Sequence, residues 1–469
     1  MTSALLGLLI PTGLLYWALT PAEARRQPAL RALFVGLAMT LASGLTSCLW
    51  FLGRIGLDAG ALVYFASETA LLLLLVWWRP RLAVPTPPAA SPLVAASTAL
   101  RFAVPILALL GLSWLTSMVI QAVQHPHGSW DGVAIWNLHA HYLAAGSARW
   151  GALCRQGDVC AYHADYPLLV PAAVARLWSL AGGANTTASP VIGAWWSAAL
   201  VVVCGGAVAT VRGANQGLLA AATLLGTGLF VRQSGTQCAD VPLALYMTTA
   251  LAAYALHDAS GRRGHGWLVL AGLCAGLAAW TKNEGVLFVG LFSATHLALS
   301  MRRHGWRATL RDSVALAVGL LPGLYLVAYL KIALAPVNDL VAGQGAEATL
   351  ARLVDVGRYA TVLVGMTRAL VRVGKGLLIA LPVYYLLMGT TRLAVGHATA
   401  RFALVVSGLM LAAYCGVYLL TPQPLAWHLS TSAARVVLQL WPGTVLGLFL
   451  LLAAPEEQFP LSSQDQPAA

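Results

Sequence analysis

"FAVPILALLGLSWLTSMVIQ" (Phe102–Gln121) is an uncharged run of the length that crosses a bilayer, about 20 residues. Shortly after it comes "SWDGVAIWNLHAHYL" (Ser129–Leu143), which gathers an aspartate, two tryptophans, an asparagine, two histidines and a tyrosine. The pairing of the two decides the fold. Hydrophobic residues make up 59% of the 469-residue chain and charged residues 9%. Mean hydropathy is +0.75. Such a chain is a polytopic, all-α membrane protein whose polar chemistry is collected where spans meet water.

Apolar spans recur on both sides of this junction. Before it lie Ala4–Thr20, Ala32–Phe51 and Ala61–Trp78, the first read as an anchor and not as a cleaved signal. After it lie Pro190–Val211, Gln216–Val231, Val241–Leu256, Gly266–Trp280, Val286–Ser300, Ser313–Leu334, Gly376–Met388, Phe402–Leu420 and Val436–Ala453. With Phe102–Gln121 these predict about 13 transmembrane helices. The Pro-rich stretch 79–101 divides three leading helices (1–78) from a core at 102–455, and 456–469 form a polar tail.

Arginines orient the chain. Arg25, Arg26 and Arg31, then Arg79, Arg81 and Arg101, then Arg262 with Arg263, Arg302 to Arg311, and Arg392 with Arg401 fall in loops of one parity. The positive-inside rule puts these in the cytoplasm and the Ser129–Leu143 loop outside. Parity requires that Leu168–Leu180 does not cross, which predicts a helix packed at the outer interface. The net charge of +12 is dispersed arginine with only three lysines. It reports topology and lipid headgroups, not nucleic acid.

Five clusters then lie on the outward side. Trp130 and Asp131 open the first, where the helical spacing of Asp131, Ile135, Leu138 and Tyr142 predicts a segment lying along the membrane surface. Capping of a helix by Asp131 competes on even terms with a chemical role. "YHADYPLLVP" (Tyr162–Pro171) supplies His163, Asp165 and Tyr166, and "QCADVPLALY" (Gln237–Tyr246) supplies Asp240. "AAWTKNEGVLF" (Ala278–Phe288) holds Lys282 and Glu284 in a tight turn. "WHLSTSAARVVLQLWP" (Trp427–Pro442) sets His428, Arg435 and Gln439 on one helix face. Caps and snorkelling arginines explain each cluster taken singly. Together they set ionisable groups at one membrane face, which suits surface chemistry on a lipid-borne substrate better than a transport path through the span middles. Glu68, inside a span, has no assignment at this level.

The seven cysteines form no CxxC pattern, and no HExxH zinc motif accompanies the loop histidines. No metal site is expected, and a divalent cation between Asp131 and Asp165 has no supporting ligand spacing. Cys154 and Cys160, close together in one exported loop, are expected to form a disulfide.

An aspartate opening the first large exported loop, followed by "DYPLLVP", "ADVPLALY" and "AAWTKNEGVLF", resembles the GT-C glycosyltransferases. The bacterial relatives of protein O-mannosyltransferases and lipid A aminoarabinose transferases are the nearest in pattern. The resemblance covers Phe102 to Pro442. It implies a GT-C-like bundle in a bacterial inner membrane, with the active site on the periplasmic or exterior side. It implies a polyprenyl-phosphate-sugar donor, a glycan, lipid or protein acceptor, and inversion at the anomeric carbon. By position Asp131 matches the general base and Asp165 a polar residue lining the site. Lys282 and Arg435 match basic contacts to the donor phosphate. One departure stands out: Gly132 occupies the place where many relatives carry a second acid. A lipid-linked-glycan flippase and a catalytically inactive GT-C-like partner are the alternatives.

Overall fold

The computed structural model describes residues 1–78, 98–147, 150, 163–336 and 345–458. Cys154, Cys160, most of the Pro-rich linker and most of the polar tail lie outside the described residues. The first half of the chain forms α1 (Thr2–Leu19), α2 (Pro28–Phe51), α3 (Ala61–Trp77), α4 (Thr98–Gln124), α5 (Leu138–Ala144), α6 (Leu169–Ala181), α7 (Ala188–Arg212), α8 (Ala214–Leu225) and α9 (Gly228–Ser234). The second half forms α10 (Asp240–Ala259), α11 (Gly266–Thr281), α12 (Asn283–Tyr329), α13 (Ala346–Val354), α14 (Val356–Gly374), α15 (Leu377–Met388), α16 (Ala394–Leu420) and α17 (Leu425–Leu451).

Each of the thirteen apolar spans of the sequence is helical, with Gln216–Val231 divided between α8 and α9, and Val286–Ser300 and Ser313–Leu334 sharing α12. Seven helices among the described residues are long and apolar enough to cross a membrane, and α12 runs on into a π-turn at Leu330–Leu334. Gly305, at φ 75°, interrupts α12 and separates its two apolar halves. Two further candidates are bent pairs, α8 with α9 at 69° and α14 with α15 at 74°. The chain is a multi-pass, all-α membrane protein.

Packing in lipid depends on close van der Waals contact, because water exclusion drives nothing between apolar helices. The closest pair is α11 with α12. Gly272 and Gly276 on one helix face Gly319 and Gly323 on the other. A Cβ on Gly276 would lie 2.9 Å from the Leu320 carbonyl oxygen, so the contact exists only because both strips are small. This pair holds the tight Lys282–Glu284 turn. α10 is the central helix, buried from Asp240 to His257 and packed on α7, α11, α16 and α17.

Two local expectations change. The segment after Asp131 departs from α-helical spacing. It winds a π-turn at Gly132–Asn137 before α5, which moves the buried face to Ile135, Trp136, His139, Ala140 and Leu143. α6 is short, as parity required, and it is enclosed by other helices on all sides. Leu169 to Trp178 are all buried, covered by α1, α2, α5 and α7. The leading helices close over it, and Arg176 of α6 is their anchor. Its Nε donates to Glu68 Oε2 at 2.8 Å, its Nη1 to the Gly7 carbonyl at 2.9 Å, and its Nη2 to Glu68 Oε1. Glu68, unassigned from sequence, is half of a sealed ion pair.

Candidate active site

Asp131 and Asp240 belong to different elements, and Arg435 joins them. Arg435 is on α17, where its Nε donates to Asp240 Oδ2 at 2.7 Å and its Nη1 to Asp131 Oδ2. One turn along the same face, Gln439 Nε2 donates to Asp240 Oδ1 at 2.7 Å. Lys282, between α11 and α12, reaches Asp240 Oδ1 at 3.2 Å and Glu284 Oε1 at 2.8 Å. Tyr414 of α16 closes the network, donating to Gln439 Oε1 at 2.7 Å. Four of the five sequence clusters thus meet through side chains far apart in the chain.

Neither aspartate caps a helix with its side chain. Asp131 precedes the π-turn without a side-chain cap bond, and Asp240 spends both oxygens on Arg435, Gln439 and Lys282. The capping explanation, open from sequence alone, does not describe their contacts. Asp240 is buried at 1% side-chain exposure, whereas Asp131 at 24% and Arg435 at 23% stand at the mouth. Burial works against the charge on Lys282, but the Asp240 and Glu284 carboxylates outweigh it and hold the ammonium well above the usual lysine range. Lys282 is therefore a fixed cation and no proton acceptor.

The fifth cluster lies alongside. Asp165 Oδ2 accepts from Asn283 Nδ2 at 2.9 Å and from Lys331 Nζ at 3.1 Å, and its carbonyl also accepts from Lys331 at 2.5 Å. Tyr166 stacks between His163 and Trp136, with ring centroids 4.6 and 5.7 Å apart. Trp130 is exposed at the rim, and His428 Nδ1 contacts the Thr421 hydroxyl at 2.9 Å against the Tyr418 ring. Lys331 and Asn283 were missed from sequence. The signal available for Lys331 was its rarity, one lysine of three, at the end of an apolar span.

The departure at Gly132 has a steric cause. Gly132 is buried, and a Cβ there would lie 2.7 Å from the Thr236 carbonyl oxygen. That same oxygen accepts the Ser129 amide at 3.1 Å. A second acid at this position does not fit the observed backbone. Among the described residues, no group of three or more histidines, cysteines, aspartates and glutamates is placed to hold a metal ion.

The ring can receive an anion at one point. The five N–H bonds of Arg435 include two given to Asp240 and Asp131, and the others have no partner among the described residues. A planar guanidinium with free N–H bonds at a half-open mouth is suited to a phosphate. Lys282, nearly buried and held by two carboxylates, offers less.

The family model for dolichyl-phosphate-mannose-protein mannosyltransferase matches residues 191–317. That stretch runs from α7 into the second half of α12 and carries Asp240, Lys282 and Glu284; Asp131, Asp165 and Arg435 lie outside it. No curated protein and no solved structure matches the chain. With the helical membrane architecture, the match at residues 191–317 is consistent with a membrane glycosyltransferase of the GT-C superfamily.

Proposed function

We propose that the protein transfers a sugar from a polyprenyl-phosphate donor to an acceptor hydroxyl, at the bundle end that carries Asp131 and on the extracytoplasmic side of a bacterial inner membrane. The acceptor oxygen attacks the anomeric carbon from the face opposite the phosphate, forming the new glycosidic bond with inversion. The carbon–oxygen bond to phosphate breaks, and its electron pair leaves with the lipid phosphate. Asp131 takes the hydroxyl proton as general base. Arg435 meets the departing phosphate through its free N–H bonds, with Lys282 adding fixed positive charge behind it. Asp240 and Gln439 hold Arg435 in place, and Asp165 with Lys331 lines the neighbouring wall.

The observation that carries this reading is the Asp131–Arg435–Asp240 bridge, which sets a partly exposed carboxylate beside a partly exposed guanidinium. The test is purified protein in nanodiscs with radiolabelled polyprenyl-phosphate mannose and native membrane extract as acceptor source. Transfer of label by the wild type and its loss in Asp131→Asn is the expected result. Turnover in Asp131→Asn equal to wild type overturns the role of the base. Absence of transfer from any polyprenyl-phosphate sugar overturns the reading itself.

A further inference from the structure

A cavity of about 910 Å3 lies between α4 and α9, lined by none of the side chains of the ion network. That volume is within the range of ligand pockets, about 300–1,000 Å3. α4 leaves nearly all its apolar length uncovered by the rest of the bundle, so the cavity opens sideways to lipid. Leu109, Leu112, Ile120 and Val231 line it, and beside them runs a polar strip. Ser113, Thr116, Ser117, Gln121 and Gln124 fall on one side of α4 and face Arg232 of α9. Polar groups turned toward hydrocarbon are costly unless something polar meets them. Gln121 donates to the Ser117 hydroxyl at 3.1 Å, and its amide lies over Gly235, where a Cβ would come within 2.6 Å of it. Arg232 is exposed, and among the described residues no hydrogen bond or ion pair engages its guanidinium.

We propose that this groove seats the headgroup of an anionic, hydroxyl-bearing membrane lipid, and that this lipid is the acceptor. The assignment of the lipid as acceptor rests on the glycosyl-transfer reading above. Arg232 matches the anion, and the hydroxyl and amide strip matches a polyhydroxyl headgroup. The tail leaves through the open side of α4. The cavity ends at His125 and Thr236, and the Thr236 carbonyl accepts the Ser129 amide at 3.1 Å, two residues before Asp131. A hydroxyl carried along this strip arrives next to Asp131. The donor phosphate has its own cation in Arg435, on a different helix, so two lipids are accommodated without competing.

Phosphatidylglycerol, which carries a phosphate and free hydroxyls, is the probe, with chain-matched phosphatidylcholine as control. Delipidated protein is titrated with each, and bound lipid is counted by native mass spectrometry. Wild type is expected to retain phosphatidylglycerol at least about tenfold more tightly, the scale of one charge-assisted contact. Arg232→Gln and, independently, Ser113→Leu are expected to abolish that preference. Equal retention of both lipids, or a preference unchanged in both variants, overturns the groove as an anionic-headgroup site. Asp131→Asn is expected to keep the lipid preference, which separates this inference from the catalytic one. In native membranes, label from the donor appearing in the anionic lipid fraction supports the acceptor assignment; label confined to protein or polysaccharide overturns it. With phosphatidylglycerol as acceptor, Arg232→Gln should raise the acceptor KM and leave kcat at saturation unchanged.

Discussion

Arg176 and Arg435 both bind carboxylates inside the bundle, and the difference between them separates a clasp from a candidate site. Arg176 and Glu68 have side-chain exposures of 3% and 6%, one positive charge against one negative, with the Tyr64 hydroxyl sharing Nε and the Gly7 carbonyl accepting from Nη1. Arg435 and Asp131 are exposed at 23% and 24%. Their network sets Asp131, Asp240 and Glu284 against Arg435 and Lys282, and Arg435 keeps N–H bonds that nothing described uses. A balanced, sealed pair joins helices. An open network with spare donors can change partners when a substrate arrives.

Five variants break or sharpen this contrast. Asp131→Asn should lower turnover by roughly 10²–10⁴, the usual loss on removing a general base, while the thermal midpoint in detergent stays near wild type. A large drop in midpoint with turnover preserved would make Asp131 another Glu68. Glu68→Gln should do the reverse. Leaving Arg176 buried without its counter-charge costs about 3–5 kcal/mol, read as a lower midpoint with turnover per folded molecule unchanged. The double change Glu68→Leu with Arg176→Met should recover most of that stability, because an apolar pair replaces the ions without leaving either one alone.

Arg435→Lys comes next. It removes the planar fork but keeps the charge, and loss of one charge-assisted hydrogen bond, about 1.5–3 kcal/mol, should raise the apparent donor KM at least about tenfold. Kinetics with varied donor at fixed acceptor check it; a change confined to the acceptor constant would move Arg435 to the other substrate. Gly132→Ala should have the smallest effect. Its methyl meets a backbone carbonyl, and overpacking of this kind costs roughly 1–3 kcal/mol. Both midpoint and turnover should fall modestly, and a variant indistinguishable from wild type would show that the loop yields freely.

The helical architecture was legible because spans announce themselves by local composition, and each apolar run proved helical. The polar clusters were legible for the same reason: ionisable residues are conspicuous against an apolar background. Their pairing was not. Arg435 meets Asp240 across 195 positions and Asp131 across 304, and Arg176 meets Glu68 across 108. No local period encodes such contacts. Lys331 escaped notice because a single lysine at a span end reads as a snorkelling anchor, and only the fold shows that Asp165 is its partner. The face of the segment after Asp131 was misjudged because one π-turn shifts the register of every residue behind it. α6 carries the apolar stripe of an interfacial helix, but the leading helices cover its other side.

The contact of Gly132 with Thr236 also bears on timing. Asp131 is carried by a backbone wedged against a neighbouring carbonyl, so the proposed base loses its freedom when the chain folds, before any ligand is bound. Ordering a flexible loop around each incoming substrate would instead raise the barrier at every turnover by the entropy of that loop. On the proposed reading, with Asp131 already fixed, the motion that admits and releases lipids is left to the outlying helices, α4 among them, which little else in the bundle holds.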